Sequence, residues 1–206
     1  YPVRSDGNSE ENICEKDSDG SWIPCRCTNI KKCKPGVKGL VGNTCFTKDI
    51  IDNNRSENLV FVSPDVGGVM RARSFAKKLD ADLAIIDKRR DAPGVSAAMN
   101  VIGNVDGKKC IIIDDLVDSG GTICNAAKAL KDKGATEVYG YCSHGVYSGK
   151  ALKNIQSSML EEMVCTNSIK PTFEIPKNMK FLSVAPLFGE AIMRINNETS
   201  ISSLFD

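Results

Sequence analysis

Nine consecutive residues bring carboxylates, hydroxyls and glycines together in one short segment: Asp114, Asp115, Leu116, Val117, Asp118, Ser119, Gly120, Gly121 and Thr122. The two glycines allow a ligand to approach the backbone closely, and the serine and threonine hydroxyls can donate hydrogen bonds to an anion. Carboxylates are poor partners for phosphate, but they accept hydrogen bonds from sugar hydroxyls, directly or through a bound cation. The segment therefore predicts a site that holds a phosphate group beside a sugar.

The flanking sequence gives this segment the layout of an anion-binding loop. The apolar run Cys110–Ile113 before it is typical of a buried strand, and Ile123–Leu130 after it is typical of a helix. A strand–loop–helix unit directs free backbone N–H groups and the positive end of the helix at the loop. The strand's carboxyl end is also where open parallel sheets bind their ligands. Helix capping by aspartate is the simpler interpretation, but a cap needs fewer such residues, so we favour the ligand site.

A second segment, Val62–Gly68, places Asp65 at the same edge of the predicted sheet. A Pro–Asp turn with a glycine-softened helix start explains Pro64 and Gly67. The second glycine, Gly68, is not explained by a turn and indicates close approach of the backbone to a ligand or to a strand.

A third segment, Asp87–Asp91, contains three consecutive cations, Lys88, Arg89 and Arg90, directly after the predicted strand Leu83–Ile86. Such a run is often only a solvated face of a protein. Because the segment leaves the same sheet edge as the other two, we also expect a mobile cationic loop that stabilises charge on phosphate groups.

Length and composition exclude several classes of function. The chain has 206 residues, with 27 basic and 26 acidic side chains and a formal net charge of +1. That balance gives no support for a nucleic-acid-binding surface, and no apolar run approaches the length that crosses a bilayer. Residues 1–42 have few apolar side chains and no sustained period, which predicts an irregular or disordered leader. Residues 43–206 predict one folded domain.

Strands and helices alternate after the leader, which predicts an α/β fold with a mostly parallel sheet flanked by helices. The predicted strands are Leu59–Val62, Leu83–Ile86, Val101–Ile102, Lys109–Ile113, Glu137–Ser143, Glu162–Thr166 and Met179–Ser183. The predicted helices are Gly67–Leu79, Gly121–Lys133, Ala151–Ser157 and Pro186–Asn197. Asp106-Gly107 indicates a tight turn between the third and fourth strands. We interpret His144, the only histidine, as a loop residue near the site.

Nine cysteines are unevenly distributed along the chain. Five crowd the first quarter: Cys14, Cys25, Cys27, Cys33 and Cys45. They are compatible with a disulfide cluster, with a metal site that lacks paired C-x2-C spacing, or with a leader of no defined role, which we favour. The other four are interpreted as small buried apolar residues of a reducing compartment: Cys110, Cys124, Cys142 and Cys165.

The three segments, in this order, resemble the ribose-phosphate diphosphokinase family, which forms phosphoribosyl pyrophosphate (PRPP). The resemblance runs from about Phe46 to Asp206 and corresponds to the C-terminal half of a family member. Further support comes from Ser-His-Gly-Val-Tyr-Ser-Gly at 143–149 and Ile-Ser-Ser-Leu-Phe at 201–205.

The resemblance implies a type I phosphoribosyltransferase-like fold and transfer of diphosphate from ATP to the anomeric hydroxyl of ribose 5-phosphate, with magnesium (Mg2+). It implies a 5-phosphate site, a ribose-hydroxyl site, a metal ligand and a catalytic loop. The 5-phosphate site would consist of Asp118, Ser119, Gly120, Gly121 and Thr122. Asp114 and Asp115 would bind the ribose hydroxyls, and Asp65 would be the metal ligand. Lys88 and Arg90 would lie on the catalytic loop. The physics agrees, because the protein's task in such a transfer is positioning and charge neutralisation. A cytoplasmic oligomer in nucleotide biosynthesis is also implied, with a regulatory nucleotide site involving Ser202, Ser203 and Phe205.

Family members have two similar domains, and the N-terminal one supplies much of the ATP site. Residues 1–42 do not resemble that domain. We therefore expect ribose 5-phosphate or PRPP binding, and we leave open whether this chain alone synthesises PRPP. The alternatives are a non-catalytic subunit that regulates an intact synthetase, a truncated inactive fragment, and a phosphoribosyltransferase acting on a base. The Ser-Pro-Asp-Val-Gly-Gly sequence argues against the last of these.

Overall fold

The computed structural model describes residues 40–53, 55–89, 98–201 and 204, all of which belong to the compact unit Lys38–Asp206. Most of the predicted leader lies outside the described residues, and so do four of the five crowded cysteines, Cys14, Cys25, Cys27 and Cys33. So do Arg90, Ser202, Ser203 and Phe205. The domain boundary that the sequence places near residue 42 therefore stays a prediction.

Helices flank a seven-stranded sheet in the described part of the chain. The strands are β1 (Leu59–Ser63), β2 (Asp82–Arg89), β3 (Ala98–Ile102), β4 (Lys109–Val117), β5 (Glu137–Gly145), β6 (Glu162–Thr166) and β7 (Met179–Leu182). The helices are α1 (Leu40–Asp52), α2 (Val69–Lys78), α3 (Gly121–Asp132), α4 (Ala151–Gln156) and α5 (Ala185–Asn196). None of these helices is both long and apolar enough to cross a membrane.

The sheet has the order β3-β2-β1-β4-β5-β6-β7, and every neighbouring pair is parallel except β2 with β3. The prediction of a mostly parallel α/β sheet is therefore confirmed. From β1 the chain moves outward to β2 and β3, whereas from β4 it moves outward in the other direction to β7. The carboxyl ends of β1 and β4 thus flank a topological switch point, where sheets of this kind bind ligands.

Both faces of the sheet are buried, which explains why its central strands are continuously apolar. In β4, Ile111 and Ile113 pack against α1 and α2, while Cys110 and Ile112 face α3 and α4. All four side chains are completely buried. The interpretation of the later cysteines as buried apolar residues is confirmed for Cys110, Cys142 and Cys165, whereas Cys124 is only partly buried.

Helix α1 was not predicted from the sequence, because the stretch around Gly42 and Asn43 has weak helical propensity. It is stabilised by tertiary packing: the Phe46 ring lies 5.2 Å from the Tyr141 ring, edge to face, and 6.3 Å from the Phe75 ring. Packing of this kind routinely overrides local propensity.

A network of hydrogen bonds and ion pairs also ties α1 to the sheet. The Tyr141 hydroxyl donates to Asp49 Oδ2 at 2.7 Å and accepts from Arg55 Nη1 at 2.7 Å. Arg55 Nη2 in turn donates to Glu162 Oε2 at 2.6 Å. Burial is the main cause that raises the pKa of Tyr141, and the hydrogen bond to Asp49 adds to it, so the phenol stays neutral. The network satisfies polar groups that would otherwise be costly to bury.

Three details differ from the sequence-based expectations. The turn at Asp106-Gly107 does not join paired strands, because β3 pairs antiparallel with β2 and not with β4. Strand β2 continues to Arg89, so the first part of the expected cationic loop is strand. Strand β4 continues to Val117, so the first carboxylates of the 114–122 segment also belong to a strand.

Candidate ligand-binding site

A cavity of about 310 Å³ opens at the switch point, where β1 and β4 end. Its lining contains most of the residues that the sequence singled out as a site: Asp65, Asp114, Asp115, Leu116, Val117, Asp118, Ser119, Gly120, Thr122 and Ile123. Gly121 is the first residue of α3, directly behind this lining. The fold thus brings together two segments that lie about fifty residues apart in the chain.

The loop after β4 has the construction of an anion-binding helix start. Gly120 is the N-cap of α3, has a φ of 75° and supplies no side chain to cap the helix. The N–H groups of the first turn are therefore not capped from that position, and they carry the positive end of the helix dipole. A left-handed φ favours glycine because other residues are strained there.

The loop is held in shape from the side of α4. Ser148 N–H donates to the Asp118 carbonyl oxygen at 3.1 Å, and Asn154 Nδ2 donates to the Ser119 carbonyl oxygen at 3.0 Å. Because these carbonyl groups are bound from the α4 side, the loop has a defined conformation before any anion arrives. Such preorganisation lowers the cost of binding.

The two carboxylates at the end of β4 are bridged by one guanidinium group. Arg71 of α2 places Nη2 2.8 Å from Asp115 Oδ2 and Nη1 3.4 Å from Asp114 Oδ1. Burial raises the pKa of Asp114 to about 6, and the charge of Asp115 adds to the rise. The backbone N–H of Asp115 and the charge of Arg71 oppose it. Arg71 therefore favours the ionised form of Asp114, the form that only accepts hydrogen bonds.

Sequence reasoning missed Arg71. It lies near the start of a helix, two residues before Arg73, and a pair of arginines in such a position resembles a solvated helix face. The order of the elements could have indicated a role for Arg71, because α2 follows the carboxyl end of β1 and β1 is the neighbour of β4.

Asp65 both lines the cavity and shapes the turn before α2. Its Oδ1 accepts the Gly68 N–H at 2.8 Å, and Ser63 Oγ donates to its carbonyl oxygen at 2.6 Å. A Cβ added at Gly68 would lie 2.8 Å from Ser63 Oγ. Of the two explanations for the second glycine, the structure therefore supports close approach to the strand end.

The first residues of the cationic segment belong to strand β2, which continues past the end of its neighbour β1. Ser63, the last residue of β1, pairs with Ile85, and β2 continues four residues further, to Arg89. That length corresponds to about 13 Å of strand, paired with β3 through Lys88 opposite Met99. The Lys88 side chain and the whole of Arg90 lie outside the described residues, so their catalytic assignment stays a prediction.

His144 is the next-to-last residue of β5, so its interpretation as a loop residue is wrong. Its Nδ1 lies 2.9 Å from Ser168 Oγ, and it is not part of the cavity lining. A structural role for this histidine agrees with that position.

Comparison with known proteins adds to this geometry. A family model described as "Phosphoribosyl synthetase-associated domain" matches residues 90–206, more than half of the chain. The chain belongs to the phosphoribosyl pyrophosphate synthetase family. The family resemblance expected from the three segments is thereby confirmed.

Curated relatives in this family are ribose-phosphate pyrophosphokinases. The enzyme of Rhizobium meliloti is 56% identical over 163 residues, which are 78% of this chain and 53% of the relative. That of Bordetella pertussis is 56% identical over 171 residues, 82% of this chain and 55% of the relative. The chain thus spans about half the length of the curated relatives it matches.

A solved structure of the family agrees with the fold. The phosphoribosylpyrophosphate synthetase of Mycobacterium smegmatis matches 74% of this chain and 50% of its own, with a TM-score of 0.68 and 34% identity. The predicted fold class, a type I phosphoribosyltransferase-like domain, is confirmed by this likeness together with the sheet topology.

Magnesium fits the donor set of the cavity, although not as a complete protein cage. Among the described residues, no group of three or more His, Cys, Asp or Glu side chains is arranged to hold a metal ion. Mg2+ commonly uses only one or two carboxylates, together with water and substrate oxygens. Asp65, Asp114 and Asp115 supply such carboxylates to one cavity. The residues are therefore suited to a magnesium ion that shares its coordination with a bound substrate.

Proposed function

We propose that this chain is the ribose 5-phosphate-binding half of a ribose-phosphate pyrophosphokinase. Its reaction would transfer diphosphate from ATP to the anomeric hydroxyl of ribose 5-phosphate, with Mg2+, and yield PRPP and AMP. The observation that carries the proposal is the cavity at the switch point, which joins the start of a helix with a glycine N-cap to a pair of carboxylates. Membership of the PRPP synthetase family supports it independently.

The proposed binding mode follows from the chemistry of each part of the cavity. The 5-phosphate would accept hydrogen bonds from the backbone N–H groups and hydroxyls of Asp118, Ser119, Gly120, Gly121 and Thr122. The ribose hydroxyls would donate to Asp114 and Asp115, which Arg71 holds in place. A sugar phosphate carries both kinds of group, whereas inorganic phosphate and free ribose each carry one.

Charge balance makes a cation part of the proposal. Four carboxylates line the cavity, from Asp65, Asp114, Asp115 and Asp118, and the one described cation that pairs with any of them is Arg71. An anionic ligand entering such a site would be repelled without further positive charge. Magnesium bound through Asp65 would supply that charge and polarise phosphate oxygens. Lys88 and Arg90, which the family resemblance assigns to a catalytic loop, would neutralise the transferring diphosphate.

The ATP site would lie outside the cavity at the switch point. Because the chain covers only 53% of the Rhizobium meliloti enzyme, we propose that ATP binding draws on a further domain or on a full-length synthetase subunit in an oligomer. The chain's own role is then to hold the acceptor and to present its anomeric hydroxyl.

Thermal unfolding with a panel of ligands tests the proposal. Ribose 5-phosphate with Mg2+ should raise the unfolding temperature, because a ligand that binds only the folded state stabilises it. Ribose alone and inorganic phosphate alone should give much smaller shifts at equal concentration. The double variant Asp118→Ala/Thr122→Ala should lose the shift, and the matched variant Asp132→Ala/Thr136→Ala, at the far end of α3, should keep it. Equal shifts in both variants would count against the site.

A second candidate function is a non-catalytic subunit that regulates an intact synthetase. It is favoured by the description of the matching family model as an associated domain. Adding the chain to the purified Rhizobium meliloti enzyme and measuring PRPP formation separates the two proposals. A regulatory subunit changes the rate of that enzyme even when Lys88 and Arg90 of the added chain are replaced by alanine, whereas any contribution from a catalytic half is lost with those two side chains.

A further inference from the structure

Two buried cysteines lie in contact across neighbouring strands. Cys142 of β5 and Cys165 of β6 are register partners, and their Sγ atoms are 3.4 Å apart. Both residues are completely buried. The other described cysteines, Cys45, Cys110 and Cys124, are also free thiols.

The backbone geometry around this thiol pair is compatible with a disulfide. Neighbouring strands are about 4.8 Å apart, so register partners have Cα atoms within the range of about 4.4 to 6.8 Å that disulfides span. The two sulfurs need to approach each other by about 1.4 Å to reach bonding distance.

Hydrogen bonds distinguish the two thiols of the pair. The Cys142 thiol donates to Cys165 Sγ, and this hydrogen bond is the main cause that lowers the pKa of Cys165 below its ordinary value. Burial of Cys165 opposes this decrease in its pKa, whereas the Tyr147 hydroxyl and the backbone N–H groups of Thr166 and Gly145 act in the same direction as Cys142. Burial raises the pKa of Cys142 well above its ordinary value. Because Cys165 Sγ accepts the hydrogen bond from Cys142, we assign Cys165 as the attacking sulfur of the pair and Cys142 as the thiol beside it.

Tyr147 packs beside the pair in the hydrophobic core. The Tyr147 hydroxyl is 3.8 Å from Cys142 Sγ, and the ring lies so close to Gly145 that a Cβ there would be 2.2 Å from Tyr147 Cε2. Tyr147 has a positive φ of 51°, which is unusual for a residue with a Cβ. Because Tyr147 also packs edge to face against Phe173 and Phe181, a small oxidant reaches the pair through a local opening of this aromatic cluster, which costs less than global unfolding.

We propose that Cys142 and Cys165 form an oxidation site at which hydrogen peroxide converts the two thiols into a reversible disulfide. Cys165 attacks the peroxide, its sulfur is oxidised to a sulfenic acid, and the peroxide's other oxygen leaves as water after taking up a proton. Cys142 then attacks the sulfenic sulfur, the S–S bond forms, and the sulfenic oxygen leaves as a second water. In total, two thiols and one peroxide yield one disulfide and two waters. A dithiol reductant reverses the change by thiol–disulfide exchange.

This site is separate from the ligand chemistry, although it lies next to it. In the sheet register Asp114 of β4 stands beside Cys142, which stands beside Cys165. The proposal does not depend on ribose 5-phosphate binding, and its test uses no ligand.

Peptide mapping of the peroxide-treated protein tests the proposal. The folded full-length chain is exposed to peroxide and then unfolded in excess alkylating reagent, so that every remaining thiol is trapped as it becomes exposed. Trypsin releases Cys142 in residues 134–150 and Cys165 in residues 154–177. We expect these two peptides to appear as one species, about 2 Da lighter than their sum, and to separate after reduction.

The controls decide between this pair and other thiols. Cys124→Ser, which changes a partly exposed cysteine outside the pair, should leave the linked species unchanged, and Cys142→Ala should abolish it. The untreated wild-type protein should show both peptides alkylated. If the treated wild type instead keeps both cysteines alkylated, links either one to a different cysteine, or accumulates sulfinic acid at Cys165, the proposal is overturned. Mapping of the wild type alone gives this answer even if a variant fails to fold.

Discussion

Arg71 offers the sharpest test of how the candidate site is built. Replacing it by alanine removes the one guanidinium that contacts both Asp114 and Asp115. Arg71 and Asp114 are 19% and 15% exposed at the side chain, whereas Asp115 is 39% exposed. The lost interaction with Arg71 should therefore destabilise mainly the ionised Asp114, because water can replace the guanidinium less well there than at Asp115.

The magnitude follows from that difference in exposure. A hydrogen bond to a partly buried charge contributes about 1.5 to 3 kcal/mol, while an exposed ion pair contributes less than about 1 kcal/mol. Asp114 can also relieve the loss by taking up a proton, because its pKa is already raised to about 6. We expect Arg71→Ala to lower the free energy of unfolding by about 1 to 2 kcal/mol near neutral pH.

The sign of the pH dependence follows from the direction of the pKa shift. The fold raises the pKa of Asp114 from 3.8 to about 6, so the folded state favours the protonated carboxyl. Ionisation of Asp114 therefore costs stability, and this cost grows as the pH rises from 3.8 through about 6. Removing Arg71 raises the pKa further, since its charge opposes the shift. The variant should consequently be close to wild type at about pH 5 and most destabilised above about pH 7.

Urea unfolding at those two pH values measures the effect. Arg73→Ala, which removes an exposed arginine from the same helix, is the matched control and should change stability by less than about 0.5 kcal/mol at either pH. Arg71→Lys keeps the charge but cannot bridge both carboxylates as a planar fork, so it should fall between wild type and Arg71→Ala. A loss that is the same at both pH values, or that Arg73→Ala reproduces, would refute the reasoning.

Further substitutions test the packing that supports the site. Gly145→Ala places a Cβ 2.2 Å from Tyr147 Cε2 and should cost about 1 to 3 kcal/mol in chemical denaturation. Gly189→Ala, where a Cβ meets nothing within 4 Å in helix α5, should instead stabilise by about 0.5 to 1 kcal/mol; a reversed order would contradict this. Tyr141→Phe leaves the buried Asp49 carboxylate without one donor and should cost about 1 to 3 kcal/mol. An unfolding free energy equal to that of wild type would show that the network around it adds no stability.

Most of the sheet could be predicted from the sequence, because buried parallel strands are continuous apolar runs between turn residues. The run ending at Ile113 identified β4, and Glu162–Thr166 was predicted with the bounds that the structure has. Local sequence did not specify which strands pair. Asp106-Gly107 indicated a turn but not that β3 would pair with β2 across the sheet edge.

The candidate site was predictable where chemistry is concentrated in a short segment. Seven of the nine residues Asp114–Thr122 carry a carboxylate, a hydroxyl or no side chain, and their place after a strand fixed their edge of the sheet. Arg71 was not predictable in this way, since its partners are more than forty residues away in sequence. The same holds for α1, whose Phe46 is stabilised by contacts with distant rings. Contacts of this kind belong to the tertiary structure.

Calorimetric titration of the chain with ribose 5-phosphate tests the central claim most directly. In the presence of Mg2+ we predict saturable binding at one site per chain, weakened at least about tenfold by Asp118→Ala/Thr122→Ala, which corresponds to about 1.4 kcal/mol or more. Asp132→Ala/Thr136→Ala should bind as the wild type does. No saturable heat from the wild type, or equal affinity in both double variants, would contradict the assignment of this cavity to ribose 5-phosphate.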